Sequence, residues 1–296
     1  MEIDHLPVLP KEVLEYLLVP EGKAMMLDCT TGEGGHSKLF LEKYKELTVI
    51  GLDRDREIQK KAIERLAPYG ERFKPVNCWF TDYLSEAESG SFDCILFDLG
   101  ISMFHYVESG RGFSFSKDEP LDMRLDPSQG LSAADIVNGY SELELADVIY
   151  KYGEERYSRR IARRIVEERK NAEITTSSQL AAIIAAAVPV SYRYGRISPA
   201  TRTFQALRIE VNDELGHIEP ALKDAIRCLR KGGRLGVITF HSLEDRIVKW
   251  FFKGEADKEE PVIRILTKKP VMPSEEECAD NNASRSSKLR VVEKVR

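Results

Sequence analysis

The chain has 296 residues, with 44 lysines and arginines against 49 aspartates and glutamates, and a net charge of −5. Its hydrophobic content of 42% can fill a core, which excludes disordered, collagen-like and disulfide-scaffold proteins. Taken alone, the acidity argues against a nucleic-acid partner, because a surface that binds phosphates must be locally positive.

The sequence shows no membrane or export signal. Its apolar runs fall short of the ~20 residues that a membrane-spanning helix needs, and its start lacks a secretory pattern. The five cysteines have no zinc-site spacing, so no metal site is supported and they are typical of a reducing compartment. We therefore expect a cytoplasmic protein without a membrane partner.

The first hundred residues alternate between predicted strands and helices. The strands are predicted at 23–30, 47–53, 73–78 and 92–99, and the helices at 37–44 and 56–66. Near-continuous runs of Val, Ile and Leu are typical of parallel strands that are covered on both faces. The pattern predicts an α/β domain built from right-handed βαβ units.

The alternation stops near residue 100 and resumes near residue 200. Between these points the sequence predicts helices and loops, including a buried helix at 180–190. A helix at 211–229, a strand at 234–240, a helix at 243–252 and strands at 262–266 and 289–295 follow. The simplest architecture is one domain of residues 1–102 and 203–296, interrupted by a helical insertion at 103–202.

A glycine-rich segment, DCTTGEGGHS at residues 28–37, follows the first strand and opens the first helix. Gly32, Gly34 and Gly35 permit a tight turn, and the helix behind the turn offers free N–H groups. Asp53 ends the second strand, where an acid commonly binds the hydroxyls of a ribose. These features predict a cofactor that contains a nucleoside.

The residues favour S-adenosylmethionine over NAD as that cofactor. The third glycine of the dinucleotide fingerprint is missing, and Glu33 would lie beside a pyrophosphate. S-adenosylmethionine instead carries a positive sulfonium, which suits Asp28, Asp53 and Asp98 at the ends of three predicted strands. An NAD-dependent oxidoreductase and a purely structural glycine turn remain the alternatives.

Five further motifs follow DCTTGEGGHS in a fixed order. They are FDLGIS (97–102), RGFSF (111–115), PLDMRLD (120–126), FQALRIEVNDEL (204–215) and FHSLEDR (240–246). In this order the chain resembles the RsmH (MraW) family over residues 5–292. That family consists of bacterial methyltransferases acting on the exocyclic N4 of a cytidine in 16S ribosomal RNA. The resemblance implies a class I (Rossmann-like) S-adenosylmethionine-dependent methyltransferase sheet with an inserted helical domain.

The resemblance also implies roles for individual residues around the cofactor. Gly34, Gly35 and His36 match the methionine-binding loop, Asp53 the ribose acid, Phe80 an aromatic contact to adenine, and Asp98 the acid that closes the pocket. His105 stands where the family often has a glutamine that touches the cofactor.

Asp98 is the candidate catalytic residue. The chain lacks the D/N-P-P-Y/F motif of common amino-methyltransferases, so we expect Asp98, or a backbone carbonyl just after it, to accept the amine hydrogen. The alternative is that Asp98 only binds the cofactor.

The insertion carries positive charge. Residues 151–202 hold 11 lysines and arginines and 5 glutamates, a local charge of +6. Five arginines have helical spacing that predicts one face: Arg156, Arg159, Arg160, Arg163 and Arg164. Such a stripe is typical either of a solvated helix or of a phosphate-binding surface, and Tyr192 and Tyr194 add stacking surfaces for unpaired bases.

Given the family resemblance, we expect RNA at this surface. The candidate substrate-binding residues are Arg111, Arg124, Arg159, Arg160, Arg163, Arg196 and His241. His241 either lines the active-site cleft or marks the start of a helix with Ser242 as its N-cap.

The expected partner is 16S ribosomal RNA within the small ribosomal subunit, and the sequence leaves a homodimer open. A ribosome assembly factor that merely retains the cofactor pocket is the non-enzyme alternative.

Overall fold

The computed structural model describes residues 6–128, 130–195 and 197–296. The chain divides into two compact units. The sheet unit comprises Met1–Ile101 with Leu215–Arg296, and the helical unit comprises Ser102–Glu214.

A seven-stranded sheet forms the centre of the sheet unit. Its strands are β1 Ala24–Asp28, β2 Leu47–Asp53, β3 Phe73–Asn77, β4 Phe92–Asp98, β5 Leu229–Thr239, β6 Ile263–Ile265 and β7 Lys288–Lys294. The order is β3-β2-β1-β4-β5-β7-β6, with β1 to β5 parallel and β7 antiparallel to both of its neighbours. The predicted α/β domain with a parallel sheet is confirmed for β1 to β5.

The helices surround this sheet or form the helical unit. In chain order they are α1 Pro10–Tyr16, α2 Gly35–Lys43, α3 Arg56–Leu66, α4 Phe80–Glu86, α5 Met103–Val107, α6 Ala133–Gly139, α7 Glu142–Gly153, α8 Ser158–Glu168, α9 Ser177–Ala187, α10 Val190–Arg193, α11 Pro199–Asn212, α12 Ile218–Cys228, α13 Ser242–Ala256 and α14 Glu275–Asp280. Two 3₁₀ helices, Ala67–Arg72 and Asn282–Ser286, complete the set. No helix among the described residues combines the length and apolar character needed to cross a membrane.

The sheet is buried on both faces, which explains its near-continuous apolar strands. Successive residues of β4 point to opposite sides, so Ile95 packs in the core with α4, α12 and α13, and Leu96 packs in the core with α1, α2 and α3. Both side chains are fully buried. The carboxyl ends of the parallel strands are therefore held in a rigid layer.

Two predicted boundaries after residue 200 are wrong. The predicted helix at 211–229 is two helices, because Asp213 adopts a left-handed conformation with φ 46° after α11 and α12 begins only at Ile218. Strand β5 begins at Leu229, ahead of the predicted residue 234. Helices α1, α4 and α14 of the sheet unit were not predicted from the sequence.

The helical unit has a core formed by its longer helices. Helix α8 packs on α7 and α9, and α11 packs on α6, α7 and α9. The buried side chains include Ile149, Ile161, Ile184 and Leu207. Because α11 packs within this unit, the second boundary of the insertion lies after residue 214 and beyond the predicted residue 202.

Candidate active site

Three carboxylates end neighbouring strands at one edge of the sheet. Asp28 ends β1, Asp53 ends β2 and Asp98 ends β4. Strand order reverses between β1 and β4, and open α/β sheets bind ligands at this kind of switch point. The structure thus brings together the acids that the sequence placed at strand ends.

Asp53 holds the glycine-rich loop against β2. Its Oδ2 accepts a hydrogen bond from the Gly32 backbone N–H at 2.9 Å, and its Oδ1 accepts one from the Asp55 N–H at 2.9 Å. Each carboxylate oxygen has a second lone pair, so this anchoring role is compatible with hydrogen bonds from ribose hydroxyls.

The loop glycines are required by backbone conformation and close packing. Gly34 caps α2 with φ 81°, and a Cβ there would lie 2.9 Å from Leu66 Cδ1. A Cβ on Gly35 would lie 3.2 Å from Pro7 Cβ. The loop is therefore pressed between α3 and the N-terminal segment.

Asp28 is buried beneath this loop. Ser37 Oγ donates to Asp28 Oδ2 at 2.6 Å, within the first turn of α2. Burial raises the pKa of Asp28 to about 6, although the Ser37 hydrogen bond opposes that shift. Thr30 links the loop to β4, since its Oγ1 accepts a hydrogen bond from the Asp98 N–H at 2.7 Å.

Asp98 and His36 face each other beside Asp28. His36 Nδ1 lies 3.4 Å from Asp98 Oδ2, and His36 Nε2 lies 2.8 Å from the Val8 carbonyl oxygen. Burial and the negative charge of Glu244 raise the pKa of Asp98 to about 7, and burial lowers the pKa of His36. Asp98 Oδ1 is buried and has no hydrogen-bond partner among the described residues.

Phe80 begins an aromatic cluster at the end of β3. Its ring meets those of Trp79 and Phe97 edge to face, each with centroids 5.3 Å apart. The Arg54 guanidinium stacks 3.7 Å from the Trp79 ring centroid, just after Asp53. Trp79 and Arg54 were not predicted from the sequence, although the aromatic pair directly after a predicted strand was a signal for Trp79.

His241 lies at the end of β5 and is itself the N-cap of α13, so the prediction of Ser242 as the cap is wrong. Its Nδ1 accepts from the Glu244 N–H at 3.5 Å, and its Nε2 lies 3.0 Å from Glu244 Oε1. Glu244 is buried and accepts from the Phe240 N–H at 2.8 Å. Glu244 was not predicted from the sequence; it orients His241 and contributes negative charge near Asp98.

The basic stripe lies on α8 of the helical unit. Arg159, Arg160, Arg163 and Arg164 are all exposed on this helix. The prediction that Arg156 shares the helical face is wrong, because α8 begins at Ser158.

Arg156 instead stacks on two tyrosines before the helix. Its guanidinium lies 4.9 Å from the Tyr157 ring centroid and 5.0 Å from that of Tyr192. Tyr192 is fixed by donating a hydrogen bond of 2.6 Å to the buried Glu155.

Other predicted substrate residues have partners inside the helical unit. Arg111 Nη1 donates to the carbonyl oxygens of Arg124 and Leu125, both at 2.9 Å. Arg124 binds the Asp122 carboxylate with two hydrogen bonds, of 3.0 and 2.7 Å. These arginines hold the 120–126 loop together. Arg196 lies outside the described residues.

His105 also belongs to the helical unit, in α5. It is buried, with its ring 5.5 Å from that of Phe104 and 5.3 Å from that of Phe113. Its contact with the cofactor stays a prediction.

Comparison with known proteins decides the family. A family model described as the MraW methylase family matches residues 2–295. The chain belongs to the MraW methylase family. This member is therefore an S-adenosylmethionine-dependent methyltransferase, and the predicted preference for that cofactor over NAD is confirmed.

Relatives of this MraW-family methylase match over nearly their whole length. A protein of Treponema denticola named "Ribosomal RNA small subunit methyltransferase H" is 51% identical, covering 100% of this chain and 98% of the relative. One of the same name from Borrelia hermsii is 50% identical, covering 99% and 98%. A solved structure of a Streptococcus mutans methyltransferase in complex with SAH aligns at 12% identity and a TM-score of 0.45, covering 98% of this chain and 100% of that one.

The strand-end residues fit the cofactor that the family uses. An acidic edge suits a cationic ligand, and the orphaned Oδ1 of Asp98 supplies an unused buried acceptor for an N–H or cationic group. The aromatic cluster at Phe80 supplies an apolar surface for a nucleobase. Asp53 ends β2, which lies between β3 and β4 in the sheet, and an acid at such a strand end suits the hydroxyls of a ribose.

Proposed function

We propose that this protein transfers the methyl group of S-adenosylmethionine to the exocyclic N4 of a specific cytidine in 16S ribosomal RNA of the small subunit. The observation that carries the proposal is the full-length match, at about half identity, to relatives named for small-subunit ribosomal RNA methylation. The strand-end acids Asp28, Asp53 and Asp98 support it, because they form the cofactor edge of a complete methyltransferase sheet.

The reaction requires positioning and a hydrogen-bond acceptor. S-adenosylmethionine supplies an electrophilic methyl group when it is bound. Cytosine N4 is a poor nucleophile because its lone pair is delocalised into the ring, so close alignment and an acceptor for the N–H must lower the barrier.

Asp98 is our candidate for that acceptor. It lies at the carboxyl end of β4, its side chain is 24% exposed, and its Oδ1 has no partner among the described residues. In the ionised form this oxygen can accept an N–H as positive charge develops on the amine. The alternative is that the same oxygen only binds the cofactor. The two roles differ in whether a variant loses turnover at saturating cofactor or only cofactor affinity.

Asp98→Asn separates these two roles. The variant keeps the shape of the side chain and removes its negative charge. We expect turnover at saturating cofactor to fall by about 10²-fold or more, as for loss of one electrostatic group, and cofactor Kd to rise as well, because the lost charge also attracts the cationic cofactor. If only the Kd rises and turnover at saturating cofactor is unchanged, the catalytic role is refuted and Asp98 only binds the cofactor.

The proposal includes the cofactor contacts that the family resemblance implies. Gly34 and Gly35 shape the loop, Asp53 takes the ribose, and Phe80 contacts the adenine. His105 is proposed to replace the glutamine common in the family, since an imidazole still offers one hydrogen-bond donor.

The stripe on α8 is the proposed RNA-binding surface. Arg159, Arg160 and Arg163 are exposed, and guanidinium groups bind phosphates with paired hydrogen bonds. Of these, Arg163 has an acidic neighbour, with its Nε 3.5 Å from Glu142 Oε1, and that exposed pair is weak enough for a phosphate to displace. His241 is proposed to line the substrate side of the sheet edge.

Substitution of all three arginines tests this surface. Arg159→Ala, Arg160→Ala and Arg163→Ala together should lower affinity for small-subunit RNA and leave cofactor Kd unchanged. The salt dependence should flatten by about 2 in log–log slope, since each lost contact to single-stranded RNA removes about 0.7. A matched control variant carries Lys60→Ala, Lys249→Ala and Lys258→Ala, at three exposed lysines of the sheet unit. Equal effects in both variants would show that the stripe is only a solvated helix face and does not bind RNA.

The decisive experiment follows a labelled methyl group. Purified protein, labelled S-adenosylmethionine and either naked 16S RNA or small subunits are incubated, and the product is digested and mapped by mass spectrometry. We expect N4-methylcytidine at one position, and its absence from both substrates would overturn the proposal. Because the substrate is ribosomal, we also infer that the protein acts in the cytoplasm.

A further inference from the structure

The tautomer of His36 is set by the N-terminal segment. Its Nε2 lies 2.8 Å from the Val8 carbonyl oxygen, and a carbonyl oxygen can only accept, so Nε2 carries the hydrogen. Burial lowers the pKa of His36, which favours the neutral ring. The other nitrogen, Nδ1, is then bare and can only accept a hydrogen bond.

This bare nitrogen faces a carboxyl oxygen. Nδ1 lies 3.4 Å from Asp98 Oδ2, a few tenths of an ångström beyond a strong hydrogen bond. Two acceptors repel each other unless a hydrogen lies between them. The arrangement is therefore satisfied when Asp98 is protonated and its O–H points at His36.

Acidic groups surround this pair. Asp28 of β1 and Glu277 of α14 raise the pKa of His36 against the larger effect of burial, and Glu244 of α13 raises the pKa of Asp98. All three are acids, and a second negative charge at Asp98 is unfavourable among them. Burial and Glu244 accordingly raise the pKa of Asp98 to about 7.

We propose that the cofactor-free protein stores a proton on Asp98, hydrogen-bonded to Nδ1 of His36, and that binding of the cationic cofactor expels this proton to solvent. The O–H bond of Asp98 breaks, its electron pair stays on the carboxylate, and the released proton is taken up by buffer. His36 is a positioning residue: it holds the carboxyl group through Nδ1 and is itself held by Val8. The inference rests on the proposed function only for the positive charge of the cofactor.

Titration calorimetry in buffers of different ionisation enthalpy counts the released proton. Near pH 6 we expect nearly one proton released for each S-adenosylmethionine bound, and near pH 8.5 almost none. Affinity should weaken by up to about tenfold for each pH unit below 7, since one proton is linked to binding. Heats that are identical in all buffers at pH 6 would overturn the inference.

Variants locate the proton. Asp98→Asn should abolish the release, whereas Asp28→Asn, at the other buried acid of the edge, should retain it. The opposite pattern would place the proton on Asp28 and overturn the inference.

A matched pair of substitutions tests the role of His36. His36→Asn keeps an oxygen acceptor near the position of Nδ1, and His36→Gln keeps a donor toward Val8 but removes that acceptor. We expect proton release at pH 6 to persist in the asparagine variant and to fall in the glutamine variant. Equal release in both variants would show that His36 does not hold the proton.

Nuclear magnetic resonance of the unmodified protein provides a readout that is independent of any variant. Long-range proton–nitrogen spectra should show His36 as the neutral tautomer with hydrogen on Nε2, and the other tautomer would overturn the inference. None of these measurements uses RNA. Proton-linked binding without RNA methylation would refute only the proposed function, and RNA methylation without proton release would refute only this inference.

Discussion

Replacing Gly34 by alanine should destabilise the sheet unit and weaken cofactor binding. Gly34 has φ 81°, a left-handed conformation that costs an L-residue about 1–2 kcal/mol. The added Cβ would also lie 2.9 Å from Leu66 Cδ1 and 3.2 Å from Leu66 Cγ, and Leu66 is 1% exposed. Overpacking of this kind costs about 1–3 kcal/mol, so the expected total is about 2–5 kcal/mol.

A second glycine provides the control for the backbone effect. Gly232 has φ 83°, and a Cβ there would meet nothing within 4 Å. Gly232→Ala should therefore lose only the conformational part, about 1–2 kcal/mol. The reduced entropy of the unfolded chain is the same for both substitutions and cancels from their difference.

Urea unfolding followed by tryptophan fluorescence measures the difference. Both tryptophans, Trp79 and Trp250, belong to the sheet unit, so the signal reports on the unit that contains the loop. The loss caused by Gly34→Ala should shrink in a Leu66→Ala background, because the blocking methyl groups are gone. Equal losses for Gly34→Ala and Gly232→Ala would refute the packing argument.

Three further predictions concern stability. Arg208→Met should destabilise the helical unit by about 3–5 kcal/mol in urea unfolding, because Glu214, whose side chain is 10% exposed, loses its two hydrogen bonds of 2.8 Å. An effect below about 1 kcal/mol would contradict this. Burial raises the pKa of Asp245, but hydrogen bonds from Arg290 and nearby positive charge outweigh it and the net pKa lies below 3.8. The stability from the Asp245–Arg290 pair is present at neutral pH and is lost as pH falls from 3.8 toward the depressed pKa. Asp245→Asn should therefore flatten the acid side of a plot of melting temperature against pH. An unchanged plot would refute the pairing. Gly153→Ala would place a Cβ 2.6 Å from a backbone carbonyl oxygen of α11, and we expect a lower melting temperature than for Gly139→Ala, where a Cβ meets nothing within 4 Å.

Much of the sheet could be predicted from the sequence because its strands are buried on both faces. Strands β1, β2 and β4 appear as short apolar runs, and the helices between the strands have apolar residues at helical spacing. The motif order then indicated the family. These signals are local in sequence, so they can be recognised without knowledge of tertiary contacts.

The wrong boundaries have a common cause. An amphipathic pattern continues across 211–229 although the chain turns at Asp213, because both helices bury the same kind of side chain. Arg156 has the spacing of the α8 arginines but precedes the helix and stacks on tyrosines. Periodicity reports which residues are buried and does not report where a turn interrupts the backbone.

The sequence alone determined the parallel sheet, the acidic residues at its strand ends, and a basic insertion hidden within a net charge of −5. Only the tertiary structure decided what each of these residues contacts. The ring of His36 is oriented by the carbonyl of Val8, 28 residues earlier, and Arg111 is committed to carbonyls of the 120–126 loop. Hydrogen-bond partners are set by packing between distant segments, and that packing has no signature in local composition or spacing.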